Sequence, residues 1–82
     1  MKAATNLRKH AVSFEIAARA FEDELSATFP DADHSSGQMR LITYARAEDG
    51  QLLVTSHTEK SGIIRIISAR VATSRERKRY ET

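Results

Sequence analysis

Arginine is the side chain best suited to gripping a phosphate, and two arginines stand where they are least expected, Arg65 and Arg70 inside the apolar run IIRIISAR. A guanidinium holds phosphate oxygens through paired hydrogen bonds and stabilises charge that develops on them. His57, Tyr44 and Glu59, upstream of them, are residue types that can move a proton at a hydroxyl. Arginines beside such groups point to binding RNA and cleaving it without a metal. The sequence has three histidines, His10, His34 and His57, far apart in the chain, and no cysteine, so its side chains give no metal-ligand spacing and call for no cofactor.

The elements that must position these residues follow from pattern. Residues 2–10 are good helix formers and predict a short first helix. Ser13 stands at an N-cap position, Glu15 falls in the next turn, and Phe14, Ala17, Ala18 and Phe21 recur at helical spacing, which predicts a second helix to about residue 23. Residues 25–29 read as a short strand, and PDADHSSG as a loop. Three runs rich in branched residues, 39–46, 51–59 and 63–71, are separated by EDGQ and KSG and predict an antiparallel meander. Thr73 and Glu76 form a T-x-x-E capping box that starts a last helix through about residue 80. The class expected is α+β in a single domain over residues 1–82.

Register then sorts the side chains. A two-residue turn at Asp49-Gly50 would set Glu48 opposite Gln51 and Ile42 opposite His57. A three-residue loop at 60–62 would set His57 opposite Arg65. Because faces alternate along a strand, one face would gather Met39, Leu41, Leu52, Val54, Ile64 and Ile66 for helices to cover. The other would gather Arg40, Tyr44, Arg46, His57, Glu59 and Arg65. Arg70 ends the same strand on the opposite face from Arg65 unless a bulge turns it.

Composition narrows the class. A chain of 82 residues supports one modest core. The absence of cysteine suits a reducing compartment, so the cytoplasm is expected, and no apolar stretch reads as a membrane span. The net charge of +2 hides an uneven distribution: residues 22–33 hold five acids and no Lys or Arg, whereas residues 70–82 hold five bases and two acids. A basic end suggests a polyanionic partner such as nucleic acid.

Three stretches, NLRKHAVSFEIAARAF, RLITYARAEDGQLLVTSHTE and IIRIISARVATSRERKRYE, together resemble the BrnT family of bacterial type II toxins. The resemblance runs from about residue 6 to 81 and is carried most specifically by IRIISAR with the following ER..Y. It implies a RelE-like fold and an endoribonuclease, an mRNA interferase that inhibits translation by cutting RNA. It also implies neutralisation by a BrnA-like antitoxin, in a heterotetramer with it or as a homodimer. Operator DNA would then be touched only through the antitoxin. Members usually begin with a strand before the first helix, and this chain starts inside that helix: either the start is placed late or the strand is missing, and a missing strand would leave a sheet edge open. Ala11 and Ala45 stand where the family usually has glycine, and alanine at a position needing positive φ would cost about 1 kcal/mol.

The residues weighed as catalytic are Arg65, His57, Arg70 and Tyr80. Arg65 is the leading candidate for phosphate contact, against an ion pair with Glu59. His57 is a candidate acid or base, against a hydrogen-bonded structural histidine. Arg70 is as readily an anchor for the last helix. Tyr80, in the ER..Y element, either packs that helix or acts in the site. Lys9 and His10, the family's KH pair, together with Arg40, Arg46, Arg75 and Arg79, are the candidates for RNA contact, and a solvated charged helix is the plainer reading of the last two. Against the active enzyme stands a second function, a catalytically weakened homologue that binds its antitoxin as a co-repressor.

Overall fold

The computed structural model describes residues 12–31 and 39–81. The predicted first helix, Lys9, His10, Ala11 and His34 lie outside those residues. The chain runs α1 (Phe14–Ala20), β1 (Ala27–Pro30), β2 (Arg40–Arg46), β3 (Leu52–Lys60), β4 (Ile63–Val71) and α2 (Ser74–Glu81). Four strands form one antiparallel sheet in sequence order. The α+β class is as expected, and among the described residues one helix precedes the sheet and one follows it. No described helix is long and apolar enough to cross a membrane.

Helix α1 starts where its cap predicts. Ser13 has extended backbone, and its Oγ accepts the Ile16 N–H at 3.1 Å. The helix buries Ala17 and Ala20, whose small side chains let it lie close to the sheet, and Val12, Ala45, Leu53 and Ala69 complete this layer. Helix α2 covers the opposite face, where Tyr80, Tyr44 and Ile42 pack against Leu52, Val54 and Ala72. Its capping box is closed in both directions: Thr73 N–H donates to Glu76 Oε1 at 2.9 Å, and Glu76 N–H donates to Thr73 Oγ1 at 3.2 Å.

Both predicted hairpin registers are off by one residue. Ala47 and Gln51 close a three-residue loop through the Ala47 N–H to Gln51 carbonyl bond at 2.8 Å, with Gly50 at φ +90. Ile42 therefore pairs with Ser56, and His57 with Leu41. In the next hairpin the loop is shorter, not longer, than predicted: Lys60 pairs with Ile63 across Ser61 and Gly62, both at positive φ as a type I′ turn requires. The two errors cancel in the first half of β4, so Arg65 does share a face with Arg40, Tyr44 and Arg46. They do not cancel in β3. Leu52 and Val54 lie on the Arg65 face under α2, and Thr55 and His57 lie on the α1 face.

A bulge then shifts β4. His57 pairs with Ile66 but Ser56 pairs with Ser68, which leaves Ile67 as an extra residue. The shift returns Arg70, opposite Val54, to the face of Arg65, opposite Thr58. Ala45 is buried within β2 and is not among the positive-φ residues, so alanine carries no backbone strain there.

Candidate functional site on the arginine face of the sheet

The sheet face under α2 carries two depressions. The larger, an open groove of about 690 Å³, lies between β1, β2 and α2 and is lined by Leu25, Ala27, Phe29, Tyr44, Arg46, Glu76, Arg79, Tyr80 and Glu81. The smaller, about 390 Å³, lies at the Ser61 hairpin and is lined by Thr58, Lys60, Ser61, Ile63 and Arg65. Arg70 stands between them. Val54 and Thr58, its partner and that of Arg65, are four strand positions apart, which is about 13 Å along β3.

Arg70 is committed to a structural contact. Its Nη1 and Nη2 donate to Glu76 Oε1 and Oε2 at 2.7 and 2.8 Å. The guanidinium, with help from the Thr73 N–H, lowers the Glu76 carboxyl from an ordinary 4.5 to about 2. The same bonds raise the Arg70 pKa further above its ordinary value. This clamp ties the end of β4 to the first turn of α2, the anchoring role that the sequence left open beside catalysis.

Arg65 has the opposite character. It is exposed, and its guanidinium makes no hydrogen bond or ion pair with a described residue. Glu59 pairs with Ile64 and so points to the other face, which removes the ion pair weighed against it. Lys60, the last residue of β3 and not a loop residue, lines the same depression and adds a second cation beside the hydroxyl residues Thr58 and Ser61.

His57 is corrected from the arginine face to the core. It is 1% exposed, its Nε2 lies 2.7 Å from Thr43 Oγ1, and Thr43 Oγ1 lies 2.7 Å from Thr28 Oγ1. Phe21 meets the imidazole edge-on at 4.9 Å. Burial lowers its pKa against the opposing pull of Glu59, and its Nδ1 is buried without a partner among the described residues. A substrate on the arginine face has no route to this ring.

Tyr80 donates its hydroxyl to the Leu25 carbonyl and stacks on Tyr44, 6.1 Å between centroids at 21°. Burial and the Asp23 carboxylate raise its pKa, so the phenol stays protonated at neutral pH. Asp23 also accepts the Arg46 and Leu25 N–H groups at 2.8 and 3.0 Å, which fixes the rim of the groove and lowers its own pKa. Arg46 bonds the Gly50 carbonyl at 2.9 Å and is paired with Glu81. Arg40 is half-buried on β2, Arg75 is exposed on α2, and Arg79 lines the groove with no partner among the described residues. Phe29, absent from the sequence candidates, stands in the groove at 53% exposure.

Of the groove's groups with shifted pKa values, Glu76 is held too acidic and Tyr80 too basic to serve as a base near neutrality. What the arrangement offers is positive charge on a rigid sheet, the means of stabilising an anionic transition state. The family model for the ribonuclease toxin BrnT of type II toxin-antitoxin systems matches residues 1–76. The chain belongs to the BrnT toxin family. BrnT is thus a ribonuclease-toxin family whose type II class implies a protein antitoxin as partner. A comparison with curated proteins finds no match.

Proposed function

We propose that this BrnT chain is a metal-independent endoribonuclease of RelE-like chemistry that cuts RNA on the Arg65 face of its sheet, in the cytoplasm, and thereby inhibits translation. A BrnA-like antitoxin would neutralise it, and contact with operator DNA would pass through that antitoxin. The observation that carries the reading is the Arg65 guanidinium beside Lys60, without a partner among the described residues, on the face that the β4 bulge also gives to Arg70.

Arg65 and Lys60 hold the reacting phosphate. The ribose 2′-hydroxyl attacks phosphorus and loses its proton to solvent, the bond to the 5′-oxygen breaks, and that oxygen takes a proton from solvent as it leaves. The products are a 2′,3′-cyclic phosphate and a 5′-hydroxyl. Arginine charge stabilises the crowded phosphorane-like transition state, a contribution of about 100- to 1000-fold for one well-placed donor. Arg70 positions α2, while Arg40, Arg46, Arg75 and Arg79 meet the backbone on either side, with Lys9 and His10 as further candidates. His57 has no part in the chemistry. Metal independence is supported by the two groove carboxylates each being held by an arginine, Glu76 by Arg70 and Glu81 by Arg46.

Induction of the chain in a bacterial host, alone and as Arg65→Ala, tests the reading. Growth arrest with RNA cleavage that Arg65→Ala abolishes at equal soluble protein is the expected outcome. Soluble, folded protein that leaves growth and RNA intact points instead to the antitoxin-binding co-repressor.

A further inference from the structure

We propose that the groove at the α2 end of the arginine face is a stacking subsite for a single unpaired nucleobase of the RNA, with the exposed ring of Phe29 as its platform. The proposal rests on the ribonuclease reading above and extends it to how the substrate is held. Phe29 stands almost perpendicular to Tyr44, with centroids 6.1 Å apart at 76°, and Tyr80 lies nearly parallel to Tyr44. The three rings form a corner whose outer wall, Phe29, is 53% exposed although it is a large apolar side chain.

Charge around the corner selects the occupant. Arg46 and Arg70 are each balanced by a glutamate, so Arg79 is the lining cation with no partner among the described residues. One unbalanced guanidinium beside an open aromatic ring suits a nucleotide, whose base stacks while its phosphate meets the cation. The groove volume of about 690 Å³ lies within the usual range for small-ligand clefts. A base inside a duplex keeps both its faces covered by its neighbours, so the subsite takes single-stranded RNA. Arg79, Arg70 and Arg65 then mark a path along one face from the stacked base to the scissile phosphate.

The test is binding of a short, fluorescein-labelled, 2′-O-methylated single-stranded oligoribonucleotide, which lacks the attacking hydroxyl, to wild type, Phe29→Ala, Phe29→Leu and Phe29→Trp. An abasic oligonucleotide of equal length is the control. Phe29→Ala and Phe29→Leu should weaken binding of the base-bearing probe about 5- to 140-fold, the range for loss of one stacked base. Phe29→Trp should retain it, and none of the variants should change binding of the abasic probe. Wild-type affinity in Phe29→Leu would reduce the ring to apolar packing and overturn the proposal. An equal loss on the abasic probe would also overturn it. So would unchanged RNA affinity with lost antitoxin binding, which would make the groove a protein-docking surface. Cleavage of unmodified RNA by wild type is read separately. Base-dependent binding without cleavage would retain the subsite and sink the ribonuclease, cleavage with Phe29-independent binding would do the reverse, and no RNA binding at all would sink both.

Discussion

Replacing Glu76 by glutamine should weaken the fold by a pH-dependent amount that the Arg70 clamp sets. The carboxyl falls from 4.5 to about 2 on folding, a shift worth roughly 3 kcal/mol if none of it were screened. Arg70 and Glu76 side chains are 40% and 22% exposed, so solvent reduces this to about 1–2 kcal/mol. Because the folded pKa is the depressed one, this stability is complete above pH 4.5 and is lost as pH falls towards 2. Glutamine keeps an acceptor for the Thr73 N–H, so the capping bond survives, while the charge and the second acceptor for Arg70 are removed. At neutral pH the melting temperature should fall by about 4–16 °C. Urea denaturation between neutrality and pH 2 should show the wild type losing its advantage over Glu76→Gln, and the two curves converging. Equal stability at neutral pH, or parallel acid limbs in the two proteins, would refute the reasoning.

Acid should also act through His57. Its folded pKa lies below the ordinary 6.5 because the ring is buried, so stability falls as pH drops through 6.5, and a comparison of urea midpoints at pH 8 and pH 5.5 should show a decline that His57→Phe lacks. Ala45→Gly should cost about 1 kcal/mol in urea denaturation, since the position is a buried strand residue and glycine adds chain entropy there. Gly50→Ala should cost a similar amount in the same assay. Its φ of +90 disfavours any side chain, although nothing within 4 Å would meet the new methyl. Arg65→Ala should leave the stability within about 0.5 kcal/mol of wild type in urea denaturation, because its guanidinium bonds to no described residue.

The sequence carried the element boundaries well because local chemistry sets them. Ser13 caps α1 and the Thr73–Glu76 box caps α2 as their types and spacing predict. Strand register was not legible because β3 is covered on both faces. Leu52, Leu53, Val54 and Thr55 are all buried, so the strand lacks the polar alternation that pins a register. Asp49-Gly50 was a true turn signal of the wrong length. Asp49 Oδ1 accepts the Gln51 N–H at 3.0 Å, and Gly50 supplies the positive φ at the end of a three-residue loop. The bulge at Ile67 left no local mark, since one more isoleucine in IIRIIS reads as ordinary strand. The place of Arg65 on an exposed face was therefore legible, the place of His57 in the core was not, and Phe29 and Lys60 were not singled out. Their exposure follows from which neighbours the fold withholds.

The most direct test of the arginine face is to incubate purified protein with single-stranded RNA in excess metal chelator and identify the new ends, for wild type and Arg65→Ala. The account predicts 2′,3′-cyclic phosphate and 5′-hydroxyl ends, with Arg65→Ala slower by about 100- to 1000-fold at unchanged melting temperature. Cleavage that stops in chelator, ends that carry a 3′-hydroxyl, or a folded Arg65→Ala that cuts at the wild-type rate would contradict it.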